Sequence, residues 1–336
     1  MVKSFTLNFP AGLWHGWVVS VDAVANMRPL IMKIMKSVFA VLLIATAITN
    51  PAVAADPAPS IAVIDTGTNT SLWGDKISYE VCFVAYFYCP NGKTSMEGTG
   101  AANLPKTTDE KLDHGTQMIS VITAVNPTVK VIPIRIVGMN AKGLASLYSL
   151  SDVQKGLDWV VANQAKFNIV AVNIAQGAIF ADCKVPSGMA SQIAKLKAIN
   201  VPVLVATGNL SNRKSVNAPA CLADTVSVGA TDNPWTGAQP KNAPLITYNK
   251  NAKPYIARYS NGATGQVDFY LNGRYQVTNL NGSTKFMVGT SNATAALSGW
   301  WVLNKQATFD DTFKYIMDST IEATNEWVTG RYVPLP

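Results

Sequence analysis

Of the two histidines in this 336-residue chain, His15 lies near the amino terminus and His114 sits in Asp113-His114-Gly115-Thr116. Upstream of His114 runs Ile61-Ala62-Val63-Ile64-Asp65-Thr66-Gly67, and downstream comes Gly289-Thr290-Ser291. Imidazole is the one side chain whose unperturbed pKa lies near neutrality, so it can take a proton from a hydroxyl and hand it on. A carboxylate that orients the ring and a serine within its reach would complete a set for nucleophilic acyl transfer. Singly, each residue has a plainer use: the Asp as a helix cap, the His as a satisfied core residue, the Thr-Ser-Asn turn as an N-cap. The order Asp65, His114, Ser291 and the glycine-flanked blocks around them favour the joint reading.

Such residues need a frame that brings them together across more than 200 positions. Short Val/Ile-rich runs at 60–65, 129–137, 169–174, 201–206 and 225–228 predict strands. They lack polar alternation, as strands do when both faces of a parallel sheet are covered. Helices are predicted over 151–165, opened by a Ser/Asp cap, and over 187–199. Further helices are predicted to be opened by His114 and Ser291, whose positive dipole ends favour a developing anion. Alternating β and α elements imply right-handed crossovers and an α/β three-layer sandwich, a mostly parallel sheet with helices on both faces. In such a sheet reactive groups collect at the carboxyl ends of strands, where Asp65 falls. Residues 233–285, rich in Asn, Gly, Pro and Tyr, read as loops and hairpins. No internal repeat or linker divides the chain, so 55–336 is expected to be one domain.

With 48% hydrophobic and 14% charged residues the chain can bury a large core. Met32-Lys33-Ile34-Met35-Lys36, an apolar run at 38–48 and Pro51-Ala52-Val53-Ala54-Ala55 predict a signal peptide over 32–54, and 1–31 reads as the product of a start placed too far upstream. The apolar run falls short of the roughly 20 residues that span a bilayer, so no permanent membrane span is expected. The leader carries Lys3, Arg28, Lys33 and Lys36 against Asp22, so of the net +7 about +4 remains beyond it. Without a Lys/Arg cluster this gives no basis for nucleic-acid binding. Cys82, Cys89, Cys183 and Cys221 all follow the leader, and an even count in an exported chain favours disulfides. Three pairings are possible, of which Cys82 with Cys89 and Cys183 with Cys221 are expected. A zinc site is the competing use, opposed by the lack of C-x-x-C and by there being a single histidine beyond the leader.

The blocks at Asp65, His114 and Ser291, in that order, resemble the subtilisin-like serine peptidases, and the order differs from that of chymotrypsin and the α/β-hydrolases. A fourth block, Val201-Pro202-Val203-Leu204-Val205-Ala206-Thr207-Gly208-Asn209, is similar to the family strand ending in Ala-Gly-Asn. The resemblance implies a polypeptide substrate attacked by Ser291, with His114 as general base, Asp65 orienting it and Asn209 donating to the oxyanion. It implies that Ala175, Gln176 and Gly177 flank the substrate, that no cofactor is needed for the chemistry, and that the protein is secreted or periplasmic and acts as a monomer. Calcium, common in the family, has no assignable ligands among the few scattered acids, and the sequence assigns no metal site. The chain departs from the family at Gln117, at Asn292-Ala293-Thr294-Ala295-Ala296 where Met-Ala-x-Pro-His is usual, and at Ala175-Gln176. No prodomain fits between the leader and Asp65. A rival expectation is an inactive or slow member of the fold that binds peptides.

Overall fold

The computed structural model describes residues 57–104, 109–178, 183–232 and 254–335. The predicted signal peptide and the segment before it lie outside the described residues. In chain order the elements are β1 (Ser60–Asp65), β2 (Val81–Phe83), β3 (Ser95–Glu97), α1 (His114–Val125), β4 (Lys130–Arg135), α2 (Leu150–Asn163), β5 (Ile169–Ile174), α3 (Met189–Ala198), β6 (Val203–Ala206) and β7 (Val226–Asp232). There follow β8 (Tyr255–Ile256), β9 (Phe269–Asn272), β10 (Arg274–Thr278), β11 (Thr284–Val288), α4 (Thr290–Leu303), α5 (Phe309–Asp318), β12 (Ile321–Thr324) and β13 (Thr329–Tyr332).

The five strands expected from Val/Ile runs all form, and they make the centre of the sheet in the order β4-β1-β5-β6-β7, every pair parallel. Alternation along β1 shows why each strand is apolar throughout. Ala62 and Ile64 join Ile132, Ile134 and the α2 and α3 residues Val153, Leu157, Val160, Ile193 and Leu196 in one core. Ile61 and Val63 join Val131 and the α1 and α4 residues Met118, Ile119, Ile122, Ala293, Ala296 and Leu297 in the other. Two helical layers on one sheet give the three-layer sandwich. Each fully buried Ile contributes about 1.5–3 kcal/mol over an exposed one, so the covering of both faces fixes the strand register as well as the fold.

Some boundaries differ from the sequence reading. Helix α2 opens at Ser149, not Ser151: the Ser149 hydroxyl accepts from the Asp152 N–H, and the Asp152 carboxylate accepts from the Ser149 N–H. This reciprocal capping satisfies two otherwise unpaired donors. Within the segment read as loops and hairpins, β10 opens an antiparallel hairpin with β11, while β8 and β9 extend the main sheet. Disulfides join Cys82 to Cys89 and Cys183 to Cys221. Among the described residues, no helix is long and apolar enough to cross a membrane.

Candidate active site

Three sequence blocks meet at the carboxyl edge of the sheet. Asp65 ends β1 and is 1% exposed. His114 is the first residue of α1, and its Nδ1 lies 2.9 Å from both Asp65 Oδ1 and Oδ2. The carboxylate can only accept, so Nδ1 carries the proton and Nε2 is left with a lone pair. Burial alone would depress the imidazole pKa. The charge of Asp65 and its hydrogen bond outweigh that effect and hold it above the ordinary 6.5.

Backbone contact between the turns after β1 and before α1 sets this pairing. Gly67 has φ +107°, and a Cβ on Gly115 would lie 2.2 Å from the Gly67 carbonyl oxygen. Only hydrogen fits at both positions. Thr66 fastens the two turns together: its hydroxyl donates to the Leu112 carbonyl at 3.0 Å and accepts from the Gly115 N–H at 2.9 Å. Its own N–H donates to Asp65 Oδ1 at 2.7 Å.

Ser291 lies in the first turn of α4 and is buried. Its hydroxyl donates to the Ala175 carbonyl at 3.2 Å instead of to the imidazole. Its N–H is among the first-turn amides that have no acceptor within a helix. Asn209 follows β6, and its Oδ1 accepts from the Thr290 N–H at 2.9 Å and the Thr290 hydroxyl at 3.0 Å. A backbone N–H can only donate, so the amide oxygen must face Thr290 and the Nδ2 amino group is the end left available as a donor. Thr290 therefore locks the Asn209 loop to the serine helix. The Gly208 N–H adds a third tie, donating to the Thr290 hydroxyl at 3.2 Å.

The three residues after β5 behave differently from one another. Ala175 receives the Ser291 hydroxyl. Gly177 donates its N–H to the Tyr148 hydroxyl at 3.0 Å and accepts from the same hydroxyl at 2.6 Å. The Gln176 side chain turns into the site, with Nε2 3.0 Å from Asp65 Oδ1 and 2.9 Å from His114 Nδ1.

Asp113, next to the histidine, is buried, and its Oδ1 accepts from the Leu280 N–H at 3.0 Å. The unusual Gln117 and Asn292 have partners in the same region. Gln117 donates to the Asn279 side-chain oxygen at 2.9 Å, beside the β10–β11 turn. Asn292 donates to the carbonyls of Gly273 at 3.0 Å and Met287 at 2.8 Å. Sequence reasoning assigned no role to Thr66, Thr290 or Tyr148. The two threonines stood within the quoted blocks, whereas nothing near Tyr148 signals its contact with a segment 29 positions away. Among the described residues, no group of three or more His, Cys, Asp or Glu side chains converges as metal ligands would.

A doubly covered parallel sheet with an aspartate, a histidine and a helix-borne serine at its carboxyl edge defines the subtilisin-like architecture. The chain belongs to the Subtilase family (peptidase S8), whose profile matches residues 56–326. Alkaline elastase YaB of Bacillus sp. (strain YaB) is 26% identical, the match covering 54% of this chain and 54% of that protein, so the chain spans about half the length of this curated relative. A cold adapted subtilisin-like serine proteinase of known structure is 18% identical, covers 84% of this chain and 90% of its own, and superposes with a TM-score of 0.57. Sphericase, at 16% identity, covers 83% and 89% with a TM-score of 0.61. At these identities the two structures establish the fold.

Proposed function

We propose that the protein is an exported serine endopeptidase that cleaves polypeptides through an acyl-enzyme. The observation that carries this reading is the Asp65–His114 pair, joined at 2.9 Å on the sheet edge that also holds Ser291. In the proposed reaction the Ser291 oxygen attacks the scissile carbonyl carbon while His114 Nε2 takes the hydroxyl proton. The Ser291 N–H and Asn209 Nδ2 receive the oxyanion. The C–N bond breaks as His114 returns the proton to the leaving amine. Water then repeats the cycle: His114 takes its proton, the ester carbonyl is attacked, and Ser291 is released. Asp65 orients the ring and stabilises the imidazolium. This sequence of steps draws on no cofactor, and a monomer contains every group it needs. Export is supported by the leader-like segment 32–54 and by the two disulfides.

One observation favours a second reading, a peptide-binding member of the fold without turnover: the Ser291 hydroxyl is engaged by the Ala175 carbonyl, not by His114. A fluorophosphonate serine probe separates the two readings without knowledge of the substrate. Labelling of the wild type that disappears in Ser291→Ala and His114→Ala is expected. A folded wild type that stays unlabelled overturns the peptidase reading.

A further inference from the structure

We infer that Gln176 is a positioning residue of the Asp65–His114 pair, an amide that shares the aspartate with the imidazole and keeps the ring neutral to lower pH. The inference deepens the peptidase reading and rests on it.

Three donors converge on Asp65. The Thr66 N–H, at 2.7 Å, and Gln176 Nε2, at 3.0 Å, both reach Oδ1, and His114 Nδ1 lies 2.9 Å from each oxygen. An amide oxygen turned toward Oδ1 would set acceptor against acceptor, so Nε2 must face the carboxylate. That orientation also places a polar N–H group 2.9 Å from His114 Nδ1, which is itself a donor. Gln176 therefore acts on the imidazolium in two ways with the same sign. It draws carboxylate charge away from the ring, and it sets a positive dipole end beside the protonated form.

Its neighbours fix the side chain in this pose. The carbonyl before it, on Ala175, takes the Ser291 hydroxyl, and both backbone groups after it, on Gly177, are held by the Tyr148 hydroxyl. A residue pinned on both sides and aimed at the carboxylate is placed to organise the pair, not to contact a substrate. Four other titratable groups near the pair have partners of their own. The Asp113 carboxylate accepts from the Leu280 N–H, and the Tyr148 hydroxyl is taken by Gly177. Arg135 on β4, level with Asp65 in the sheet, donates to the carbonyls of Val137 and Asn103. Glu110, in the turn before α1, pairs with Lys285. None of these partners is altered by changing Gln176.

The test is an NMR titration of the His114 Cε1 proton in the full chain, with Gln176→Leu and Gln176→Glu beside the wild type. Replacing the donor by Leu is expected to raise the imidazole pKa by about half a unit to one unit, the worth of one lost hydrogen bond. The Glu variant, which adds a carboxylate to a nearly identical shape, should raise it further. The pH at which fluorophosphonate labelling rises should move by the same amounts, through its maximal rate and not through the binding constant of the probe. Titration curves that coincide in all three proteins overturn the inference, even if labelling is intact. Shifted titrations in a protein that never labels leave the Gln176 contact standing as a property of the pair, but overturn the peptidase reading and with it the catalytic meaning of the contact.

Discussion

Replacing Gly115 by Ala tests whether a contact between two turns sets the position of the histidine. The added Cβ would sit 2.2 Å from the Gly67 carbonyl oxygen and 3.1 Å from the Gly67 nitrogen. Both are backbone atoms of the turn that follows Asp65, so no side chain can swing aside. Opening the shorter gap to an ordinary contact requires the start of α1 to retreat by about 1 Å. His114 is the residue next to the substitution, and its Nδ1 stands 2.9 Å from each Asp65 oxygen. A retreat of that size takes the pair beyond hydrogen-bonding range. Misplacement by 1 Å costs about 100-fold in rate, and overpacking of this kind costs about 1–3 kcal/mol of stability. The variant should therefore fold, melt at a lower temperature, and react with a fluorophosphonate about 100-fold more slowly than the wild type. Thermal unfolding followed by circular dichroism, with labelling rates measured on the same preparation, gives both quantities. A Gly115→Ala protein that labels within twofold of the wild type at an unchanged melting temperature would refute the reasoning.

Two further outcomes are expected. Asn209→Asp removes the proposed side-chain donor but keeps an oxygen to accept from Thr290, so the serine helix stays tied and a peptide substrate should show kcat reduced by at least about 10²–10³, a range taken from the corresponding donor of a subtilisin, with KM little changed. A loss confined to KM would assign Asn209 to ground-state binding. The disulfides should contribute unequally: Cys183–Cys221 closes 38 positions of chain and Cys82–Cys89 only 7. On loop-closure grounds their removal as Cys→Ser pairs costs about 4 and about 2 kcal/mol, and denaturant unfolding that reverses this order would show that native-state effects dominate.

The legible part of the molecule was local in sequence. Strand β1 announced itself because six consecutive residues, Ser60–Asp65, are all buried, and a strand covered on both faces needs no partner to be recognised. Asp65, His114, Asn209 and Ser291 were found because each sits in a short block whose glycines and threonines build the turn around it. Contacts between distant segments were not legible. Gln176 reaches Asp65 across 111 positions and Asp113 reaches Leu280 across 167, and no periodicity encodes such pairs. The α2 cap was ambiguous for a physical reason. Ser149 has Asp152 three residues on and Ser151 has Gln154, so both serines fit a capping box and only the packed structure selects one. Strand β12 escaped notice because Ile321 and Glu322 are both exposed, leaving no apolar alternation to read.

The hairpin of β10 and β11 is bonded to the helices that carry His114 and Ser291: to α1 through Asn279 with Gln117 and through the Thr278 N–H with the Ser120 hydroxyl, and to α4 through the Met287 carbonyl with Asn292. Gln117 and Asn292, two of the departures from the family pattern, are thus halves of one fitting, and they constrain how parts of this chain can be exchanged with its relatives. A chimera given a relative's serine helix, with Met in place of Asn292, would take the side-chain donor from the Met287 carbonyl and leave the Gly273 carbonyl with the Gly289 N–H alone, whereas moving helix and hairpin together would keep that joint intact. Recombination libraries built from this chain should place their crossovers outside 273–303, so that the serine helix and its clasp travel as a single cassette.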